Sequence, residues 1–328
     1  MLTAKTREGH DLPVIDITDP RFAVPDTAAR ALYDAFVADE RRRRFVPAFI
    51  MRMLLGAAAR RSRLVRAAFA PQGGFLDGLS TYVMKLGPDN LVPPWDSPTD
   101  RRVAASPHVA LMRLRMQQIA RLLAEGLVAH LRANAAAPLD LVNVGGGPAL
   151  DSLNALILLA RGHPGLLARR IAVHVLDGDR DGPAFGANAL AALLAPGQPL
   201  HGRDIAWHHT PYDWNATAPL ADLVRAFVAA GAIVAASSEG ALFEYGSDDA
   251  IVANLAALRA GGAGARVVAG SVTCADETRR RLIAQSRIRL MPRGLAGFAP
   301  LAARAGFAIV RSENAGLSDQ VLLAPCAA

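Results

Sequence analysis

From residue 139 to the end, the chain alternates between short apolar runs and stretches of helical periodicity. The runs are LDLVNV, IAVHVLD, DIAWHH, AIVAASS and ARVVAGSVT. Short, mostly apolar runs separated by helices predict a mostly parallel sheet covered on both faces. The ending breaks this pattern. FAIVRSE and SDQVLLA are separated only by NAGL. A parallel crossover needs about a dozen residues, so this last pair must be antiparallel. The expected class is α/β, with an antiparallel C-terminal strand pair.

The first 135 residues read differently. PDTAARALYDAFVADERRRR has helical spacing, with Asp26 or Thr27 placed to cap it. Phe45 to Leu55 are apolar on nearly every side, which predicts burial, in a subunit contact or under a lid. A membrane-surface helix is the sharper alternative. PQGGFLDGLSTYVMKLGPDNLVPPWDSPTD holds a short helix in turn-rich sequence, and HVALMRLRMQQIARLLAEGLVAHLRANAAA is one long helix ending in a small-residue linker. The expected domains are therefore 1–135, mainly helical, and 136–328, α/β.

Charge follows the same division. Residues 1–135 carry 20 Lys/Arg against 13 Asp/Glu, and residues 136–328 carry 16 against 16. The basic stretch lacks interleaved aromatics, so a solvated face, or a positive cover over an acidic substrate, is preferred to a nucleic-acid or membrane partner. Two cysteines, Cys274 and Cys326, cannot make a disulfide framework, and no C-x-x-C zinc spacing exists. The N-terminus has no apolar signal core, and no apolar stretch is long enough to span a bilayer. A cytoplasmic chain without a metal is expected.

The chemistry-bearing stretch is LDLVNVGGGPALDS, where Gly145, Gly146 and Gly147 stand between a strand and a helix. A glycine turn there lets a ligand approach the backbone, and the helix N-terminus adds N–H donors. The next strand ends in Asp177 and Asp179. Asp177 suits ribose hydroxyls, or else caps a turn. The dinucleotide fingerprint requires a small residue at position 150, which is Leu. The spacing is instead G-x-G-x-A, ending at Ala149. With the closing strand pair, this stretch resembles the first motif of the class I S-adenosylmethionine-dependent methyltransferases, over about residues 136–328.

The resemblance implies a Rossmann-like domain that binds S-adenosyl-L-methionine. Asn143 stands where that family usually has an acid, and Ala149 replaces its third glycine. By the same resemblance Gly145, Gly146 and Gly147 form the turn, Asp177 with Gly178 meets the ribose, and Asp213 with Trp214 in HHTPYDW meets adenine. Ligands in this fold bind beyond the carboxyl ends of the strands. Ser237, Ser238, Glu239, Glu244 and Tyr245 in AASSEGALFEY should then lie near the transferred methyl, with Ser238 on the cofactor side. Glu239 could orient or deprotonate an acceptor, or Ser238 or Glu239 could cap the next helix. His209 is a candidate general base beside His208. Asp151 suits the first turn of its helix, a structural role. Cys274 should pack rather than react.

The N-terminal region should close over the site, supply the acceptor pocket, and could pair two copies as a homodimer. Its candidates are Tyr82, Lys85, Trp95, Arg101 and His108, with Glu244 and Tyr245 opposite. The implied activity is methyl transfer to a small-molecule O or N acceptor. Two alternatives stay open. One is transfer of an aminocarboxypropyl group, since GGGPALDS also has some likeness to nicotianamine-synthase-like proteins. The other is a non-catalytic binding protein of the same fold.

Overall fold

The computed structural model describes residues 1–43, 45–46, 48–69, 76–262, 264–277, 279–280, 283 and 289–326. Seven strands form the main sheet: β3 (Leu139–Val144), β4 (Ile171–Leu176), β5 (Ile205–Thr210), β6 (Ile233–Ser238), β7 (Ala265–Thr273), β8 (Phe307–Asn314) and β9 (Ser318–Pro325). Their spatial order is β5-β4-β3-β6-β7-β9-β8. β3 to β7 are mutually parallel, and β9 runs antiparallel to both β7 and β8. The antiparallel ending expected from the four-residue connection is present. All six residues of β3 are buried, as a central strand covered on both faces requires.

Alternate residues of β3 feed opposite cores. Leu139 and Leu141 join one cluster, and Val142 and Val144 join the other. The first cluster is closed by α7 (Leu150–Gly162), α8 (Asp181–Leu194) and the long α6 (Pro107–Ala133). The second is closed by α9 (Ala218–Ala229), α11 (Asp248–Leu258) and α12 (Gly294–Arg304). A four-residue helix, α10 (Leu242–Tyr245), follows β6.

α6 has 27 residues and so extends about 40 Å. Ser106 caps it by accepting from the Val109 amide. It crosses the sheet at Gly126, where a Cβ would lie 3.0 Å from Val267 and 3.2 Å from Leu322. The N-terminal region therefore shares the core of the α/β region through this helix. Before it come α1 (Ala29–Arg43), α2 (Ala48–Ala59), α3 (Arg63–Phe69), α4 (Gly78–Lys85) and α5 (Pro98–Ala104). A two-stranded hairpin, β1 (Thr3–Lys5) with β2 (Asp11–Pro13), opens the chain. Nothing in the sequence reading foresaw it, because three-residue strands carry too little periodicity.

Within the single chain, four residues of the stretch expected to be buried in a subunit contact or under a lid stand exposed. Phe45, Phe49, Met53 and Leu54 are 85, 71, 66 and 52% exposed rather than buried. Among the described residues, too few elements reach α2 to cover an apolar surface that runs nearly all round it.

Candidate functional site

The carboxyl edge of the parallel strands gathers most of the residues singled out above. The Gly145 amide donates to the Leu176 carbonyl at 2.8 Å, which ties the end of β3 to the end of β4. Gly145 and Gly147 have φ of +70° and +55°, a region open to glycine. Ala149 has φ of +49°, the one non-glycine among the described residues with a positive value. The backbone thus keeps a left-handed turn at this position although the side chain opposes it. At Gly146 a Cβ would collide with the Asn143 side chain.

Asp177 folds back onto the turn. Its carboxylate accepts from the Gly147 amide and the Asp179 amide, both at 2.8 Å. Burial raises its pKa, and these two hydrogen bonds oppose the rise. The turn-acid role is therefore present in the structure. Gly178 beside it is open, with only the Tyr212 carbonyl within reach of a Cβ. Trp214 and Ala241 close on Gly145, where a Cβ would lie 3.2 Å from the indole ring and 2.9 Å from the Ala241 Cβ. Asp213 is exposed and accepts from the Asn215 amide and side chain. On the other flank, Gly78 of α4 touches Gly147, and Gly182 of α8 touches Gly147 in turn. In each contact a Cβ would lie 2.9 Å from the opposing Cα.

Under the turn lies a buried polar knot. Asn143 Nδ2 donates to Asp151 Oδ1 at 2.8 Å and to Ser237 Oγ at 3.0 Å. Asn143 Oδ1 and Asp151 Oδ2 are both buried without a hydrogen-bond partner. Leaving an acceptor so placed costs about 1–3 kcal/mol. Burial, and next the nearby Glu239 charge, push the Asp151 carboxyl up to about 6. Asp151 is therefore more than the dipole partner expected of a first-turn acid.

The end of β6 carries the second part. Ser238 Oγ donates to the Val144 carbonyl and accepts from the Leu242 amide, which ties β6 to β3 and starts α10. Ser238 meets the first amide of α10 from outside the helix, whose N-cap is Ala241. Glu239 is held on both oxygens: Oε2 by Lys85 Nζ from α4, and Oε1 by Arg115 Nε from α6 at 2.7 Å. Arg115 also reaches both oxygens of Glu244 at 3.2 Å. All four side chains are nearly buried, with 3 to 11% exposure. Burial works against the Glu239 charge, but Lys85 and Arg115 outweigh it and hold the carboxylate below its ordinary value. Glu239 can orient a group, but it is a poor proton acceptor. Burial pulls the Lys85 ammonium down against the attraction of Glu239.

Lys85, Glu239 and Glu244 are thus brought together, and Tyr245 stands in the same electrostatic environment as Arg115 and Glu244. Arg115 was missed. Its helix carries four arginines, Arg113, Arg115, Arg121 and Arg132, and nothing in their spacing sets Arg115 apart, so only the position of α6 across the strand ends reveals it.

Other candidates fall elsewhere. His209 lies on β5, three strand positions from β6, or roughly 14 Å across the sheet, and its Nε2 pairs with the Asp177 carbonyl. It does not meet Glu239. His208 is exposed and stacks on His174 at 4.9 Å. Tyr82 is core: its hydroxyl donates to the Pro13 carbonyl and accepts from the Ile15 amide, and its ring packs on Phe185. Its assignment to an acceptor pocket is corrected, because the side chain is buried and its hydroxyl is engaged by Pro13 at the end of β2 and by Ile15 just beyond it. Trp95 is buried against His10, and Arg101 is exposed and donates to the Pro88 carbonyl. Burial drops His108 to about 3, so it is neutral. Burial also lifts the Cys274 thiol to about 12, which suits packing rather than reaction.

A cavity of about 420 Å³, lined by residues including Val14, Asp16, Phe22, Arg161 and Leu193, lies at the opposite edge of the sheet, where α7 and α8 end. None of the residues discussed above at the glycine turn or the β6 end lines it. Among the described residues there is no group of three or more His, Cys, Asp or Glu side chains that could hold a metal ion.

No protein-family model matches the chain, and no curated protein matches it. The crystal structure of a possible exported protein from Bordetella parapertussis is similar in fold, with a TM-score of 0.55 and 15% identity over 94% of this chain and 99% of that one. The N,N-8-amino-8-demethyl-D-riboflavin dimethyltransferase of Streptomyces davawensis has a TM-score of 0.40 and 18% identity, over 94% of this chain and 74% of that one. Human N-acetylserotonin methyltransferase has a TM-score of 0.38 and 15% identity, over 66% and 56%. The strand order, with its antiparallel β9 between β7 and β8, is the Rossmann-like arrangement of a mostly parallel sheet closed by an antiparallel strand pair.

Proposed function

We propose that the chain binds S-adenosyl-L-methionine at the carboxyl edge of the sheet and transfers its methyl group to an O or N atom of a small molecule. The observation that carries this reading is the pair of buried acceptors without partners, Asn143 Oδ1 and Asp151 Oδ2, beneath the glycine turn. An ammonium group is what such a pair lacks, and the methionine end of this cofactor has one. Gly145, Gly146, Gly147, Asp177, Gly178, Asp213, Trp214 and Ser238 are the residues proposed to surround the rest of it.

When bound, the cofactor supplies an already activated sulfonium methyl, so the protein's task is alignment and exclusion of water. Lys85, Arg115, Glu239 and Glu244 form a rigid charged wall at the β6 end that orients the acceptor. Tyr245 stands beside that wall. Glu239, held ionised by two cations, keeps its charge rather than taking a proton. Burial raises the Asp151 carboxyl to about 6, and the ammonium proposed to pair with it would favour its ionised form. His209, on the distant β5, is not assigned a proton.

Titration calorimetry and thermal unfolding of the chain with S-adenosylmethionine, S-adenosylhomocysteine and NADH test the cofactor. The two adenosyl ligands should raise the melting temperature and NADH should not, since only a ligand of the native state stabilises it. A shift with NADH alone defeats the proposal. Product mass then separates the chemistries: S-adenosylhomocysteine marks methyl transfer and methylthioadenosine marks aminocarboxypropyl transfer. A specific observation favours a second reading, a binding protein without turnover. Trp214, Ala241 and Gly78 already close on the glycine turn. Stabilisation by the cofactor with no product from a broad panel of phenols and amines would select it.

A further inference from the structure

The exposed face of α2 is independent of the site above. Phe49, Met53 and Ala57 follow one another at four-residue steps, and Leu54 adjoins them, so they share one side of the helix. Phe49, Met53 and Leu54 are 71, 66 and 52% exposed, and Phe45, just ahead of the helix, is 85% exposed. An apolar surface of this kind on a folded chain marks an interaction site.

The charge around it is one-sided. Residues 41–76 contain nine arginines and no Asp or Glu. Arg41, Arg42 and Arg43 close α1 ahead of the apolar helix, and Arg60, Arg61, Arg63 and Arg66 follow it. All seven are exposed. Three have acidic neighbours: Arg42 with Asp39 at 3.7 Å, Arg43 with Glu40 at 3.0 Å and Arg63 with Glu8 at 3.8 Å. Exposed pairs of this kind are weak, so the region keeps a strong positive field.

We infer that α2 and its flanking arginines dock on an anionic phospholipid surface. Such a surface takes both features at once: the phosphates take the guanidinium groups, and the acyl boundary takes Phe45, Phe49, Met53 and Leu54. The other occupants take only one. A second copy docked through the same helix would bring two sets of nine arginines together. Nucleic acid would pair with the arginines and leave the aliphatic stripe in water. Twelve residues of helix extend about 18 Å, against a hydrocarbon core of about 30 Å, so α2 lies along the interface rather than through it. No helix among the described residues is long and apolar enough to cross a membrane.

Co-sedimentation of the full chain with vesicles tests the inference. The chain should sediment with mixed phosphatidylglycerol–phosphatidylcholine vesicles and not with pure phosphatidylcholine, and rising salt should release it. The triple variant Phe45→Ser, Phe49→Ser, Met53→Ser should lose affinity about tenfold or more at an unchanged melting temperature. No sedimentation with the anionic vesicles overturns the inference. So does equal binding by the triple variant. A solution dimer that the triple variant converts to monomer assigns the face to a second copy instead, and duplex DNA binding that the triple variant abolishes assigns it to nucleic acid.

Discussion

Two regions invert the usual partition of residues, in opposite directions. At the end of β6, four charged side chains are buried against one another. On α2, a row of large apolar side chains stands in water. Charged residues are rarely buried unless paired, and large apolar patches are rarely left exposed. The buried group has its partners inside the chain: two cations from the N-terminal helices meet two carboxylates from the α/β region. Among the described residues the apolar row has no such partner, and the surface proposed for it lies outside the chain. The difference is one of completeness. The first region costs stability when any member is removed, and the second should cost almost nothing.

Removing the shared member of the buried group should have the largest effect. Glu239→Ala leaves Lys85 and Arg115 without their common counter-charge and should destabilise the chain by about 3–5 kcal/mol in urea unfolding. A loss below about 1 kcal/mol would mean that water already reaches these charges. The next effect has the opposite sign. Asp151 has a folded pKa of about 6 against an ordinary 3.8. The folded state therefore holds its proton more tightly, and this group costs stability as pH rises from about 4 to 6, with the full cost present above. Asp151→Asn removes that cost, so it should stabilise the chain by about 3 kcal/mol at pH 8 and flatten the decline between pH 4 and 6. An unchanged pH profile would show that Asp151 titrates normally.

Smaller effects sharpen the contrast. Ala149→Gly relieves a left-handed φ of +49° and should stabilise by up to about 1 kcal/mol, because the added freedom of the unfolded chain offsets part of the gain. Phe49→Ser, on the exposed face, should change stability by no more than about 0.5 kcal/mol. A large loss from Phe49→Ser would break the comparison, since it would mean that the side chain is covered in solution.

The sheet was largely legible in the sequence. LDLVNV and ARVVAGSVT coincide with β3 and β7, and the four-residue NAGL connection dictated the antiparallel ending. Buried strands announce themselves through uninterrupted apolar runs, and short connections leave no freedom of direction. The site was legible only in part. Lys85, Glu239 and Glu244 were expected there and do converge, but Arg115 was not, because its burial depends on where a 27-residue helix crosses the strand ends. Asp151 was read as a dipole partner because its neighbour Asn143 carries no charge to mark the knot they form. Tyr82 was placed in a pocket because the hairpin that holds its hydroxyl has strands of only three residues.

The contact between Gly78 and Gly147 has a kinetic consequence. Gly78 opens α4 and Lys85 closes it, so the helix that rests on the glycine turn also carries the cation that meets Glu239. Eight residues form a rod about 12 Å long. A molecule entering between that rod and the turn would have to tilt it, and tilting would strain the ion pair at its far end. Association at the turn would then be slow and release equally slow, with the pace of exchange set by a buried charge pair a full helix length away from the point of entry.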